Sequence, residues 1–587
     1  MKSTNPNSML PRTQSLRRLL KLTMPHIKLI LLSFICVLMV NTALLIKPYI
    51  LKLVIDDFLI KRIAQKGFYS IVNLGLLYFT VVALSALFSI AQVNLINKAG
   101  QEIMRTLRNE VFKTILLLPL WYLDKTSSGR LITRATNDVE ALSEMFTDVL
   151  ISLFKDVFLI IGLIYIMLLI NVELALISFC VVPIMFLIVF FLKTKIRNNF
   201  TRMKSLIGKI NGFMAENISG MKLVQIFSGE KEKKKEFLKV NDEYFKATLF
   251  QVRMNSLLRP AADVFQNLAL ALLIGFGMSK ISNNTLEIGV LYAFTTYIKQ
   301  FFNPISDLAD NYTTIQSAMV SADRIFELLD QDDNLEDLNA GIGMDSIEGN
   351  IEFKNVWFSY NDKDWILKDI SFSIEKGQTA AFVGETGAGK TTIISLLSGF
   401  YKIQKGEILI DGININDIKK RDLRSNISVV LQDVFLFSGT IKNNITLNDN
   451  IEKEILLNAI NISYAKDVID NLANGIDEPV MERGSTLSSG QRQLISFARA
   501  IAHNPSIFIL DEATANIDTQ TEILIQKAIE NILKNRTTLI IAHRLSTIRN
   551  SDTIIVLRHG NILEMGRHET LIKKGGYYFE MINGVEN

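Results

Sequence analysis

The sequence predicts an α-helical membrane domain of six spans fused, on its C-terminal side, to an α/β domain of P-loop type. Three observations carry this. Apolar residues make up 49% of the 587-residue chain and mean hydropathy is +0.26, with the excess lying before residue 320. Six runs in that half approach the ~20 mostly apolar residues that a helix needs to cross hydrocarbon. After residue 350, the run GETGAGKT (Gly384–Thr391) follows a strand-like segment, Thr379–Val383, and precedes a helix-like one, Thr391–Leu397. That strand–loop–helix setting is what makes G-x-x-x-x-G-K-[ST] a credible phosphate-binding loop.

Taken in order, Leu10–Thr23 sets Arg12, Arg17, Arg18 and Lys21 among leucines. This pattern predicts an amphipathic helix lying on the inner membrane surface. The spans follow as roughly Ile27–Ile46, Tyr69–Leu95, Val149–Ile170, Leu174–Leu192, Ala262–Met278 and Ile288–Phe302. Spans two to three and four to five are joined by about 50 and about 70 mostly polar, helix-forming residues rich in Lys and Arg, which the positive-inside rule places in the cytoplasm. Those cations include Arg105, Arg108, Arg130 and Arg134, then Lys193, Lys195, Arg197, Arg202 and the run Lys233–Lys235. The short outer loop carries Lys61, Arg62 and Lys66 against this bias. An even number of spans and a nucleotide site that must meet cytoplasmic ATP fix the same orientation, with both termini inside.

Ser317–Leu329 reads as a charged helix, Asp330–Asn339 as an acidic linker, and alternating strands open at Ile351. The resulting division is 1–26 for the surface helix, 27–320 for the membrane domain, 321–348 for the linker and 349–587 for the nucleotide-binding domain. Cys36 and Cys180 both lie in apolar runs, where packing rather than a disulfide framework is expected. The N-terminus lacks a signal-peptide layout, since its first apolar run has no small-residue cleavage site and is long enough to stay in the bilayer. A net charge of +4, from 63 basic and 59 acidic residues, makes no global case for nucleic acid.

Four motifs then set the chemistry. In the first, Gly387 and Gly389 let backbone N–H groups turn onto a polyphosphate, and the helix that follows adds positive dipole. Lys390 supplies a point charge for the β- and γ-phosphates and the Thr391 hydroxyl suits Mg²⁺. The others are LSSGQ (Leu487–Gln491), IFILDE (Ile507–Glu512) and His543 in AHRLS. Asp511 is placed to hold the Mg²⁺ shell and Glu512 to polarise the attacking water. This is the equipment of a nucleoside triphosphatase.

With these motifs in this order, the chain resembles the ATP-binding cassette (ABC) superfamily, and its six-span half joined to one cassette is similar to an exporter-type half-transporter. The resemblance implies a helical subdomain beside the α/β core. It also implies a role for each matching position. Tyr360 takes the place that stacks on adenine; on its own it would be an ordinary strand-end tyrosine. Gly384, Glu385, Thr386, Gly387, Ala388, Gly389, Lys390, Thr391 and Thr392 surround the phosphates. Gln432 contacts Mg²⁺ and links the cassette to the membrane domain, a weight that comes entirely from its position. Ser488, Gly490 and Gln491 belong to the signature that meets the γ-phosphate held by a second subunit. Glu482–Gly484 forms the loop that meets the coupling regions, and His543 orients the water with Glu512. Trp121–Leu142 and Glu216–Glu230 resemble the family's two coupling loops.

The resemblance further implies that two cassettes sandwich two ATP molecules, so a second half-transporter is required. Ser489 replaces the first glycine of the usual signature, and ANID (Ala515–Asp518) replaces the commoner SALD. With a complete Walker half these departures favour a heterodimer over a homodimer. The expected activity is ATP-driven export of amphipathic drugs or lipids from the bacterial plasma membrane, with lipid bilayer and an amphipathic small molecule as partners and ATP and Mg²⁺ as cofactors. An importer on the exporter fold, as in siderophore systems, and a nucleotide-gated channel or sensor are the alternatives. Charges near the spans are Asp148, Lys155, Asp156, Asp263, Lys299 and Asp307; such groups line cavities, pair internally or snorkel to headgroups. Tyr292, Phe294, Tyr297, Phe301 and Phe302 offer aromatic surface to a substrate, to lipid or to neighbouring helices.

Overall fold

The computed structural model describes residues 12–60, 70–283, 285–331, 335–344, 346–511, 518–533, 536–541 and 545–585. The chain divides into two compact units, the first Met1–Leu116 with Ser128–Asp333, the second Leu117–Ser127 with Asn334–Asn587.

The first unit is a bundle of long helices. The polar connections predicted from sequence are themselves helical, so spans and connections merge into continuous rods. Ile71–Leu117 runs for 47 residues and Glu230–Ser282 for 53. At 1.5 Å per residue the former is about 70 Å long, over twice the hydrocarbon thickness. Val182–Ser219 and Glu230–Ser282 pair along their length and are joined through the short helix Met221–Ile226, which Gly220 and Gly229 bracket. Among the described residues, five helical stretches are long and apolar enough to cross a membrane. Ile288–Leu329, which holds the sixth predicted span, falls short on composition because Thr295, Thr296, Lys299, Gln300 and Asn303 interrupt its apolar run.

That helix is also a packing centre of the bundle. Phe294, Tyr297, Phe301 and Phe302 are buried among Leu159, Leu163, Met167 and Leu174, and the Tyr297 hydroxyl donates to the Leu45 carbonyl at 2.8 Å. Within one chain, four of the five candidate aromatics are therefore packing residues, and Tyr292 alone of the five stays exposed. Of the charged residues near the spans, Asp156 is buried and accepts from Ser152 at 3.0 Å, whose own hydroxyl accepts from Asn311. Asp148, Asp263, Lys299 and Asp307 remain exposed.

The predicted surface helix is Arg12–Thr23. Its Ser15 and Leu19 are buried, Ser15 donating to Asp323 and Arg18 pairing with Asp330, while Leu16 and Leu20 face outward. On the same stretch of Ile288–Leu329, Ser321 donates to Asp138 at 2.8 Å and Glu327 pairs with Arg134 at 3.2 Å. The C-terminal end of Ile288–Leu329 is thus fastened by polar side chains from two segments, Arg12–Thr23 and Arg134–Asp138.

The second unit is built on a six-stranded sheet in the order Asn561–Gly566, Thr553–Arg558, Thr379–Val383, Thr537–Ile541, Ile507–Asp511, Ile427–Val430. Its four pairings from Thr553–Arg558 onward are parallel, and Asn561–Gly566 closes one edge antiparallel. Thr379–Val383 and Thr537–Ile541 are buried at every position, as parallel strands covered on both faces must be. A four-stranded antiparallel sheet (Leu367–Ile374, Ile351–Phe358, Lys405–Ile410, Ile413–Asn414) packs Phe353, Phe358 and Phe372 onto one core with Phe382. A group of helices, Ile441–Thr446, Lys453–Ile462, Ala465–Asp470 and Ser489–Ala502, shares the other core.

Candidate functional site

Strand order decides which motifs meet. Thr379–Val383 lies between Thr537–Ile541 and Thr553–Arg558, and Ile541 stands level with both Phe382 and Asp511. Val430 stands beside Leu510 on the next strand. The P-loop, Asp511 and the segment that leads to Gln432 consequently leave the sheet at the same carboxyl edge, where open α/β sheets bind ligands. Glu512 and His543, the other catalytic candidates, lie outside the described residues.

The loop is shaped by close approach. Gly384 sits at φ 147°, and a Cβ there would come within 2.1 Å of the Leu557 carbonyl oxygen. Gly389 caps the helix Lys390–Leu397 at φ 105°, a left-handed conformation that favours glycine. Lys390 is buried at 9% exposure, and its ammonium donates to the carbonyls of Gly384 at 2.5 Å and Glu385 at 3.1 Å. Burial pushes its pKa below the ordinary lysine value, with the Asp511 carboxylate pulling the other way. The residue thus presents a poorly solvated cation at the loop's mouth, the state in which a phosphate anion is the most favourable partner.

Thr391 is exposed at the first turn of that helix, whereas the neighbouring Thr392 is buried. Thr392 accepts from the Tyr360 hydroxyl at 3.2 Å, so this tyrosine is fastened over the helix start while the residue stays 44% exposed. Tyr360 meets Phe358 and Tyr401 edge-on, with centroids 4.8 and 5.0 Å apart. Such T-shaped contacts hold the ring in a fixed orientation. Gln432 and its neighbour Leu431 are exposed beyond the end of Ile427–Val430.

The LSSGQ segment starts the helix Ser489–Ala502. Ser488 is its N-cap, accepting from the Gln491 N–H at 3.2 Å, while the Gln491 side chain accepts from the Ser488 N–H at 2.9 Å. This capping box stabilises the helix start by about 1 kcal/mol and leaves the Ser488 hydroxyl hydrogen available to donate. Gly490 is buried and Ser489 exposed. Just before it, Glu482–Gly484 makes a tight turn in which Arg483 sits at φ 58°.

Two residues with structural consequences for the site went unread in the sequence. Arg499 donates to the carbonyls of Asn444 at 2.7 Å and Phe435 at 3.1 Å, joining the signature helix to the segment that follows Gln432. Its one signal is a lone cation in the otherwise apolar run SFARAIA. Tyr401 donates to Asp124, a residue of the short helix Leu120–Lys125 that folds with the second unit. Burial, then Asp124, raises the tyrosine's pKa. Nothing in GFYKI marks that role.

The ABC transporter transmembrane region family matches residues 30–305 and the ABC transporter family matches residues 367–515. The chain is 40% identical over 509 residues to a probable multidrug resistance ABC transporter ATP-binding/permease protein of Bacillus subtilis, covering 86% of this chain and 75% of that protein. It is 34% identical over 572 residues to the ATP-dependent lipid A-core flippase of Syntrophus aciditrophicus, covering 97% and 94%. Its structure is similar to a bacterial Atm1-family ABC exporter with ATP bound, at a TM-score of 0.78 and 28% identity over 95% of this chain and 98% of that one.

Proposed function

This chain belongs to the ABC transporter family as an exporter-type half-transporter that hydrolyses ATP, and we propose that it expels amphipathic drugs or lipids by alternating access in a cassette dimer. The observation that carries the reading is the convergence of the P-loop, Lys390 and Asp511 at one sheet edge in a chain whose other unit holds membrane-length apolar helices. Relatives described as a multidrug resistance protein and a lipid A-core flippase support the substrate class. So do long helices that leave large apolar side chains, among them Leu76, Phe79, Leu187 and Phe190, on their outer faces.

In this reading, residues 27–320 form the membrane domain, 321–348 the linker and 349–587 the cassette, with cassette and termini in the cytoplasm. Tyr360 stacks on adenine, and Lys390 with the backbone of Gly384–Thr391 holds the β- and γ-phosphates. Mg²⁺ fits the donor set, since Thr391, Gln432 and Asp511 all offer hard oxygen ligands. Those residues would hold it against the phosphates, where the ion neutralises developing charge. Glu512 polarises the attacking water and His543 orients it. Ser488, Gly490 and Gln491 contact the γ-phosphate on the partner half. We favour a heterodimer, because Ser489 departs from the usual signature while the Walker half is complete.

The test is ATPase activity of the assembled transporter in lipid nanodiscs, measured against amphipathic cations and phospholipids. Saturable stimulation of at least about twofold by one of these classes is the expected result. Stimulation by neither class, with basal turnover intact, contradicts the assignment.

A further inference from the structure

The C-terminal helix reaches the phosphate loop. Tyr577 opens the helix Tyr577–Val585, and its hydroxyl donates to the Glu385 carboxylate at 2.7 Å. The Arg558 guanidinium lies 4.8 Å from the Tyr577 ring centroid, at the end of the strand whose Leu557 carbonyl Gly384 approaches so closely. Glu385 is held from both ends, since its carbonyl accepts from Lys390 at 3.1 Å.

The tyrosine itself is not free to drift. Gly576 leaves no room for a side chain against the buried Glu564. The same Glu564 accepts from the Tyr578 N–H at 3.0 Å, and the Tyr578 hydroxyl lies 2.7 Å from His568 Nδ1. Tyr578 and Ile582 anchor the helix in the core, with Tyr577 packed at its margin.

Glu385 is the one acidic side chain of GETGAGKT. A carboxylate beside a bound triphosphate is repelled by every phosphate charge, weakly in water and more strongly in a partly enclosed loop. We propose that Tyr577 is a positioning residue for the P-loop: with Arg558 it holds the Glu385 carboxylate on the C-terminal helix, so that this charge does not oppose ATP. The C-terminal helix therefore sets nucleotide affinity without touching the nucleotide. This rests on reading Gly384–Thr391 as the phosphate cradle.

The experiment is a double-mutant cycle on the full chain in its assembled transporter, with ATP as the probe. Tyr577→Phe keeps the ring and removes the donor. It should raise KM for ATP by about three- to tenfold, the range set by one net hydrogen bond, with kcat within about twofold of the wild type. The increase should shrink in high salt, because it arises from an exposed charge. In a Glu385→Gln background the same change should leave KM unaltered, since no charge remains to restrain. Glu385→Asp, too short to reach Tyr577, should reproduce the KM increase even where Tyr577→Phe folds poorly. An unchanged KM in Tyr577→Phe and Glu385→Asp, or an equal increase with and without Glu385, overturns the proposal. Lys390→Ala is the control: if it binds ATP normally, the cradle reading fails, and if it alone loses binding, only the role of Tyr577 fails.

Discussion

Lys390 combines two properties that rarely coexist, burial and a positive charge met by backbone carbonyls, and the consequence is a pH dependence of binding. Burial lowers its pKa below 10.5, so the free protein sheds this proton earlier than an ordinary lysine. Bound triphosphate favours the charged form and raises the value again. The bound state then carries more protons than the free state across that window, and by linkage ATP affinity must fall as pH rises through it. Nucleotide titrations at increasing alkaline pH, below 10.5, should show a progressive loss of affinity. Lys390→Ala should bind weakly at every pH and show no such slope. A wild-type affinity that stays flat to pH 10.5, or a normal affinity in Lys390→Ala, contradicts the role given to this ammonium.

At the scale of elements, the proposed route of coupling is a single short helix. The helix Leu120–Lys125 places Asp124 on Tyr401, and Tyr401 abuts Tyr360, the residue proposed to stack on adenine. Two side-chain contacts thus separate that stacking position from a segment whose sequence neighbours are membrane helices. Asp124→Ala should leave basal ATPase within about twofold, because it touches no phosphate ligand, while losing most stimulation by transported compounds. Loss of basal turnover in folded protein, or intact stimulation, counts against this. Part of this organisation was legible in sequence and part was not. The strand Thr379–Val383 and the helix from Lys390 were readable because glycines, a lysine and flanking apolar runs all constrain one local geometry. The helix Arg12–Thr23 was readable from its alternation of leucine with basic residues. Tyr401, Arg499 and Tyr577 were not, since their partners Asp124, Asn444 and Glu385 lie far away in the chain and only the fold brings them near. The aromatics of Ile288–Leu329 stood open in sequence between substrate, lipid and neighbouring helices, and burial among Leu159, Leu163 and Met167 gives most of them the packing role.

At the scale of the whole molecule, a half-transporter works only as a dimer, and the identity of the second half is open to direct measurement. Ser489 begins a well-capped helix and is exposed, so it alters the surface offered to a partner rather than the fold. If the partner is a different chain, this protein purified alone should bind ATP and show little substrate-stimulated hydrolysis. Its oligomeric mass and ATPase rate report on this together. A stable homodimer with strong stimulated turnover sinks the heterodimer. The central claim, ATP-driven export of amphipathic compounds, is tested most directly by transport into inside-out membrane vesicles containing the assembled protein. Labelled amphipathic cation or phospholipid should accumulate in the lumen or inner leaflet only with ATP, and vesicles carrying Lys390→Ala should show none. Vesicles that hydrolyse ATP at the normal rate yet move neither compound inward, or that release preloaded compound instead, would contradict the account.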